Sequence, residues 1–207
     1  MIHNSIQNLI FDLGGVIMDL HVDKSHNAFA QLSNRSIEEI QAKIAQSTCF
    51  VAHEKGLISD AQFRDEVRTL LGMNLTDAEI DNAWNAMLGD IPLDRLQLLK
   101  RLRNDYKVFL LSNTNSIHLP IFSETVKVNS GEEASLESYF DKAYYSHVMK
   151  MRKPDEEIFK KVLIENQLIA ENTLFLDDFL PNLKGAEKAG LKTFHVQGAQ
   201  SIFSLFS

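Results

Sequence analysis

The apolar residues of this chain fall into two patterns, short unbroken runs and longer stretches with helical periodicity. Strands that are buried on both faces of a parallel sheet read as short apolar runs without polar alternation. Five runs of this kind are rich in β-branched or aromatic residues, and each is followed by polar residues. We therefore predict five parallel strands, at residues 9–11, 108–111, 143–145, 174–176 and 193–196.

Three of the longer stretches alternate with these strands, as crossover helices do in a doubly wound α/β sheet. They are residues 94–103, 154–166 and 181–190. Pro154 stands at a plausible first helical position, and Gly190 stands where a helix commonly ends. The polar segment 123–138 is predicted to be an irregular excursion before the third strand. Together these elements predict an α/β fold with a Rossmann-like parallel sheet.

The region between residues 20 and 88 contains helical patterns and no convincing strand. Three capping boxes, each a Ser or Thr followed three residues later by Glu or Gln, open predicted helices at Ser36, Ser59 and Thr76. After the second and third of these, apolar residues recur at i, i+4, i+7 and i+8, which gives each helix one apolar stripe. We interpret the stripes as mutual packing within a helical block. The stripes are Phe63, Val67, Leu70 and Leu71 in one helix, and Ile80, Trp84, Met87 and Leu88 in the other.

Composition and charge limit the possible partners and location. The chain has 207 residues and a formal net charge of −7. An acidic balance without a basic run argues against nucleic acid or an anionic membrane surface, and no apolar run exceeds four residues. The amino terminus lacks the pattern of a signal peptide, and the single Cys49 fits a reducing compartment, so we expect a cytoplasmic protein. The apolar tail at residues 202–206 either packs on the core or forms a dimer contact, which leaves monomer and homodimer open.

Three of the predicted strands end in reactive side chains. Asp12 follows the first strand, Ser112 and Asn113 follow the second, and Asp177 and Asp178 lie at the end of the fourth. In open α/β sheets, ligands bind outside the carboxyl ends of the strands, so these groups are expected to meet in one crevice.

Such a crevice would hold three carboxylates that repel one another. A hard divalent cation relieves this repulsion, and Mg²⁺ prefers oxygen ligands. Lys153, which precedes a predicted helix, would add a positive charge. A cation, an ammonium group and helix-end N–H groups together describe a phosphate site.

Four segments in order resemble the motifs of the haloacid dehalogenase-like superfamily. They are residues 11–17 (FDLGGVI), 111–115 (LSNTN), 151–154 (MRKP) and 175–178 (FLDD) with Asn182. The helical block is similar to the small helical cap of that superfamily. Residues 53–56 (HEKG) and the opening Asp-Leu-Gly resemble the branch that contains sugar-phosphate phosphatases such as α-glucose-1-phosphatase. The resemblance implies a core of residues 1–20 and 89–207, a cap of residues 21–88, and a Mg²⁺-dependent phosphatase.

The resemblance also implies a role for each matching residue. Asp12 would be the nucleophile that forms an aspartyl-phosphate, which water then hydrolyses. Mg²⁺ would be held by Asp12, the backbone carbonyl of Gly14 and Asp178. Asp177 and Asn182 would orient those ligands.

The remaining roles concern the phosphoryl group and the rest of the substrate. Ser112 would hydrogen-bond a phosphoryl oxygen, and Lys153 would neutralise charge between Asp12 and that group. Asn113, Gly15, His53 and Glu54 would contact the substrate, a small-molecule phosphate ester. Specificity would reside around residues 53–58.

The sequence departs from the usual phosphatase pattern at Gly14. Phosphatases of the superfamily usually carry a second Asp there, as the general acid for the leaving group. Loss of a general acid costs roughly 10²–10⁴ in rate, although less for an acidic leaving group. We therefore expect a sugar phosphate, with an anomeric phosphate favoured, or a replacement acid such as His21, His53, Glu54 or water.

Three other functions are compatible with parts of the pattern. A hydrolytic dehalogenase of the same superfamily lacks the second Asp and needs no metal. It would therefore not explain the acidic pair Asp177 and Asp178. A phospho-acceptor signalling domain carries its acidic pair at the first strand, which is the reverse of the order in this chain. A catalytically degenerate protein that binds phosphate or regulates a partner would explain Gly14. The sequence does not distinguish Mg²⁺ from Mn²⁺.

Overall fold

The computed structural model describes residues 5–131, 135–198 and 200–207. Residues 1–4, which the sequence assigns to the core, lie outside the described residues, as does part of the polar segment 123–138. The strands are β1 (Asn8–Phe11), β2 (Lys107–Ser112), β3 (Lys142–Tyr145), β4 (Thr173–Asp177) and β5 (Lys192–His195). The helices between β1 and β2 are α1 (Val22–Ser33), α2 (Ile37–Gln46), α3 (Cys49–Glu54), α4 (Asp60–Leu71), α5 (Asp77–Asn85) and α6 (Leu93–Leu102). The later helices are α7 (Leu119–Ser130), α8 (Ser146–Met149), α9 (Glu156–Glu165), α10 (Leu180–Lys188) and α11 (Gln200–Leu205).

The five strands form one parallel sheet in the order β3-β2-β1-β4-β5. The chain builds outward from β1 through β2 to β3, then crosses back to place β4 on the other side of β1. The strand order therefore reverses between β1 and β4, which makes the crevice at their carboxyl ends the expected ligand site of such a sheet. The predicted α/β fold class is confirmed.

Alternate side chains of each strand enter different cores, because side chains alternate across a sheet. Leu9 and Phe11 pack with α6 and the carboxyl-terminal helix in one core, whereas Ile10 packs with α9 and α10 in the other. All three side chains are fully buried. Both faces of the sheet are covered, which explains why the strands appear in the sequence as unbroken apolar runs.

The helices α1 to α5 form an insertion, residues 22–85, with a hydrophobic core of its own. The three predicted capping boxes are present, at Ser36, Ser59 and Thr76. Phe63 of the α4 stripe and Ile80 of the α5 stripe are fully buried in this one core. This supports the interpretation of the stripes as mutual packing. That residues 21–88 act as a cap over a catalytic core of residues 1–20 and 89–207 remains a prediction.

The two connections between the insertion and the sheet run side by side. Leu20 and Leu88 form an antiparallel bridge, and the backbone N–H of Asp19 donates to Asp90 O at 2.8 Å. Arg95 reaches back from α6 and binds Asp19 through a 2.6 Å contact between Nη2 and Oδ1. These contacts hold the two ends of the insertion together.

Two predicted elements differ from the structure. Helix α9 begins at Glu156 with Asp155 as its N-cap, so Pro154 lies before the helix rather than at its first position. Gly185 of α10 lies so close to this segment that a Cβ there would be 2.2 Å from Pro154 O. The first half of the polar segment 123–138 is helical rather than irregular, because α7 extends to Ser130.

The carboxyl-terminal tail packs against the sheet. Ile202 is fully buried, and the Phe206 ring lies 6.2 Å from the Phe11 ring. This packing is one of the two roles that the sequence leaves open for the tail, and the oligomeric state remains a prediction. Among the described residues, no helix is both long and apolar enough to cross a membrane.

Candidate active site

Three carboxylates meet at the carboxyl ends of β1 and β4. Asp12 follows β1 directly, and its backbone N–H donates to Leu176 O at 2.9 Å, which continues the pairing of the two strands. Asp177 ends β4, and Asp178 follows it. One oxygen from each of the three carboxylates lies within 4.8 Å of the others. The sheet register therefore brings together the acidic residues that the sequence places at the ends of two separate strands.

Lys153 lies between two of these carboxylates. Its Nζ is 2.7 Å from Asp12 Oδ1 and 2.8 Å from Asp177 Oδ2, and the side chain is only 1% exposed. Burial lowers the pKa of Lys153, but the charges of Asp12 and Asp177 together raise it above its ordinary value. Lys153 is accordingly a buried, charged ammonium group that contacts both acids.

Burial has the opposite effect on the neighbouring acid. It raises the pKa of Asp12 to about 7, against the lowering effect of Lys153. The side chain of Asp12 is 13% exposed and lines the cavity, so its carboxylate is accessible to a substrate. A buried ion pair of this kind is costly to form, and such groups concentrate at functional sites.

Asp177 is fully occupied by its own hydrogen bonds. Its Oδ2 accepts from Lys153 Nζ and from Asn182 Nδ2 at 3.0 Å, and its Oδ1 accepts from the backbone N–H of Phe179 at 2.8 Å. The residue is completely buried. Asp177 therefore holds Lys153 and the start of α10 in place, and none of its oxygens is left without a partner.

Asp178 differs, because its carboxylate has no hydrogen bond to another part of the chain that the structure describes. It lies directly against Gly15, where φ is +75° and a Cβ would be 2.2 Å from Asp178 Oδ2. Only glycine combines that backbone conformation with such a close approach. The carboxylates of Asp12 and Asp178, together with the backbone carbonyl of Gly14, form an oxygen-only donor set of the type that Mg²⁺ binds.

The residues after β2 complete this part of the site. Ser112 is buried and lines the cavity beside Asp12. Asn113, predicted to contact the substrate, directs its amide at the backbone of Lys153. It donates from Nδ2 to Lys153 O at 3.0 Å and accepts at Oδ1 from Lys153 N at 2.9 Å. Asn113 thus fixes the segment that carries the ammonium group.

The two predicted residues of the insertion have different positions. Glu54, at the end of α3, lines the cavity, and its Oε2 is 2.9 Å from Arg152 Nη2. Burial raises the pKa of Glu54, and Arg152 acts in the opposite direction. His53 is 1% exposed, contacts Asp60 and stacks on Phe63, and is not among the described residues that line the cavity. The geometry therefore brings Glu54, and not His53, to the site.

The cavity has a volume of about 460 Å³ and extends from the carboxylates to the insertion. Its far side is mainly apolar. Residues of the far side include Leu20, Val22, Ile44, Phe50, Val51, Trp84, Met87, Leu88 and His118.

Arg152 and Trp84 also line the cavity but were not predicted as site residues. Arg152 adjoins Lys153 in a recognised motif, and Trp84 was assigned to packing alone.

Comparison with known proteins extends over nearly the whole chain. The family model of haloacid dehalogenase-like hydrolases matches residues 6–190. The chain is 34% identical over 194 residues to a D-ribitol-5-phosphate phosphatase of Bacteroides thetaiotaomicron, with 91% of each protein covered. It is 26% identical over 192 residues to a sesquiterpene phosphatase of Aspergillus oryzae, with 90% of this chain and 88% of that protein covered.

The fold has a close structural counterpart. The chain is 38% identical to a HAD family enzyme of Bacteroides thetaiotaomicron whose crystal structure is a complex with magnesium and inorganic phosphate. The TM-score is 0.87, and the match covers 98% of this chain and 100% of that chain. The similarity therefore includes both the strand ends and the helical insertion.

Proposed function

This chain belongs to the haloacid dehalogenase-like hydrolase family and is a phosphatase that acts on a phosphate ester, and we propose that it hydrolyses a small phosphate monoester through a phosphorylated Asp12. The observation that carries this proposal is the contact of buried Lys153 with both Asp12 and Asp177, beside the free carboxylate of Asp178. This arrangement combines a nucleophile with positive charge where phosphoryl charge develops.

Mg²⁺ is the metal we propose for this site. Asp12, Asp178 and the carbonyl of Gly14 would hold it, and the proximity of the three carboxylates supports this because their repulsion calls for a cation. When bound, Mg²⁺ supplies positive charge that offsets the negative charge of the phosphoryl oxygens. Asp177 and Asn182 would orient the metal ligands through the hydrogen bond that joins them.

In the first step, a carboxylate oxygen of Asp12 attacks phosphorus and the bond from phosphorus to the alcohol oxygen breaks. The departing alkoxide takes a proton from water or from an acid of the cavity, because Gly14 has no side chain that could supply one. Lys153 would stay in contact with Asp12 and balance the added negative charge. Ser112 would donate a hydrogen bond to a phosphoryl oxygen.

In the second step, water attacks the phosphorus of the phosphorylated Asp12. The bond between phosphorus and the Asp12 oxygen breaks, inorganic phosphate leaves and the carboxylate is restored, while the proton of the attacking water passes to the phosphate or the solvent. Lys153 would stabilise the carboxylate as it leaves. Covalent catalysis divides one difficult displacement into two easier ones.

The substrate we propose is a sugar phosphate or a related polyol phosphate. The relative named for D-ribitol 5-phosphate supports this class. The preference for an anomeric phosphate rests on Gly14 and stays a prediction. Faster hydrolysis of a primary-alcohol phosphate than of hexose 1-phosphates would contradict that preference.

Phosphate release tests the proposed function. A panel of sugar, polyol and acyl phosphates is incubated with the wild-type protein and with Asp12→Asn, with Mg²⁺ and with a chelator. We expect turnover that requires the metal and falls by at least roughly 10³-fold in Asp12→Asn, because the amide is not a nucleophile. Asp105→Asn, an exposed Asp before β2, is the matched control and should retain wild-type turnover. Full activity of Asp12→Asn would contradict the assignment, and activity in the chelator would instead favour a metal-independent reaction.

A further inference from the structure

A single buried hydroxyl group joins the insertion to the loop that follows β2. Ser146 is fully buried and begins α8, directly after β3. Its Oγ donates to Glu54 O at 2.6 Å and accepts from the backbone N–H of Thr114 at 2.9 Å. Thr114 O lies 2.9 Å from the same oxygen and is a second acceptor for its proton. Two backbone segments that are 32 and 92 residues away in sequence therefore meet at one side chain.

The hydroxyl group of Ser146 is not used for local structure. Serine side chains near the start of a helix commonly bond to neighbouring backbone groups. The first turn of α8 has no side-chain cap, and within the described part of the chain Ser146 Oγ bonds to Glu54 and Thr114 only. The role of this hydroxyl group therefore lies in the two segments that it connects.

On the sheet side, Ser146 fixes the chain beyond the point where strand pairing ends. Ser112, the last residue of β2, is the register partner of Tyr145 in β3. Thr114, two residues further along, is 4% exposed and lines the cavity, and its N–H donates to Ser146 Oγ. Because a buried backbone N–H is rarely left without a partner, this hydrogen bond extends the order of the sheet to Thr114.

On the insertion side, Ser146 holds the backbone of Glu54, the last residue of α3, whose side chain lines the cavity. The ion pair of Glu54 with Arg152 joins two longer side chains instead. A neighbouring contact, between Lys55 Nζ and Asp155 Oδ2 at 2.9 Å, is exposed, and such pairs contribute little to stability. The hydroxyl group of Ser146 is therefore the contact that ties the backbone of α3 to the end of the sheet.

Resting on the proposed function, we propose that Ser146 is a positioning residue whose hydroxyl group fixes the spacing between the cavity wall at Glu54 and the end of β2 that binds the phosphoryl group. An ester that extends from Ser112 to the insertion contacts both parts at once, so their spacing decides whether its phosphorus is aligned with Asp12. A displacement of about 1 Å can cost roughly 10²-fold in rate. A compound that does not reach the insertion is insensitive to this spacing, because Ser112 stays paired with Tyr145 in the sheet.

Two compounds that differ in length test this proposal, a five-carbon polyol phosphate and acetyl phosphate. The measured quantity is the ratio of their kcat/KM values, with Mg²⁺ present, in the wild type and in Ser146→Ala. The ratio is independent of the fraction of folded protein, because both compounds are measured on one preparation. We expect the ratio to fall by roughly tenfold in Ser146→Ala, through a lower kcat for the polyol phosphate, while its KM changes by less than about threefold.

Ser33→Ala is the matched control and should keep the wild-type ratio. Ser33 is a buried serine of α1 whose Oγ donates to Phe29 O at 2.7 Å within the same helix. A ratio unchanged in Ser146→Ala, an equal fall in Ser33→Ala, or a change confined to KM would overturn the positioning role and leave the proposed function intact. Failure of the wild type to hydrolyse acetyl phosphate would overturn the proposed function and this inference with it.

Discussion

The two sides of the cavity differ in how their polar groups are paired. On the sheet side, Lys153 contacts two carboxylates and every oxygen of Asp177 accepts a hydrogen bond. On the insertion side, Glu54 forms an ion pair with Arg152, and the residues around it are mainly apolar. The sheet side is therefore a connected network of charges and hydrogen bonds, whereas the insertion side offers one ion pair and a mainly apolar surface.

The difference follows from the elements that carry each side. Residues at the ends of β1 and β4 are positioned by the hydrogen bonds of the sheet, so short side chains such as Asp12 and Asp177 meet with little freedom. The insertion side consists of longer side chains on helices that pack around a separate core. Charged groups that are already in position stabilise the charge that develops on the reacting phosphoryl group. Longer side chains can adjust to the part of the substrate that varies.

The largest effect is expected from removing the charge of Lys153. Lys153→Met keeps the length of the side chain but leaves Asp12 and Asp177 buried without their counter-ion. We expect phosphate release to fall by roughly 10²–10³-fold or more. The free energy of unfolding should also fall by about 3–5 kcal/mol, since a broken buried ion pair leaves uncompensated charge. Steady-state kinetics and chemical denaturation measure the two effects.

A lysine outside the cavity provides the control. Lys160 lies on α9 in an exposed pair with Glu156, and such pairs contribute little to stability. Lys160→Met should leave both the rate and the free energy of unfolding near their wild-type values. Equal behaviour of Lys153→Met and Lys160→Met would mean that the sheet side is not organised by its buried cation.

A smaller effect is expected from acid at His118, which precedes α7 and contacts the insertion. This residue stacks on Trp84 and pairs with Asn85 through a 2.7 Å contact, and burial lowers its pKa to about 3 from an ordinary value of 6.5. In the unfolded chain His118 binds a proton below about pH 6.5, whereas in the folded chain it binds one only near pH 3. Stability from this source is complete above pH 6.5 and declines as the pH falls through that window.

The variant His118→Gln removes this proton site and keeps an N–H group for Asn85. Between pH 7.5 and pH 5, the wild type should lose about 2 kcal/mol more of its free energy of unfolding than His118→Gln loses. Denaturant titrations at the two pH values measure the difference, and His118→Asn should give the same flattening. Parallel pH profiles for the wild type and both variants would show that His118 does not remain neutral in the folded protein.

The sheet and the strand-end chemistry could be predicted because they depend on local patterns. The five apolar runs locate the strands to within about one residue of their ends. The reactive residues follow those runs directly, and parallel strands necessarily bring their carboxyl ends to one edge. The capping boxes of the insertion were equally local, since the pairing of Ser59 with Gln62 spans a single turn.

Other features depend on contacts that no local pattern specifies. Helix α9 begins only at Glu156, and the preceding Pro154 lies against Gly185, which is distant in sequence. Helix α7 buries only Phe122 and Val126 fully, so its apolar stripe is too thin to outweigh a polar composition. The meeting of Arg152 with Glu54 joins the sheet to the insertion and has no signal in either segment alone.

Direct detection of a phosphoryl group on Asp12 tests the central claim. The wild-type protein is mixed with acetyl phosphate and Mg²⁺, quenched in acid after a fraction of a turnover, digested and analysed by mass spectrometry. We predict a transient phosphoryl group on the peptide that contains Asp12, localised to that residue and absent when the protein is pre-incubated with a chelator. Phosphate release without any modification of Asp12, or a phosphoryl group on a different residue, would contradict the account.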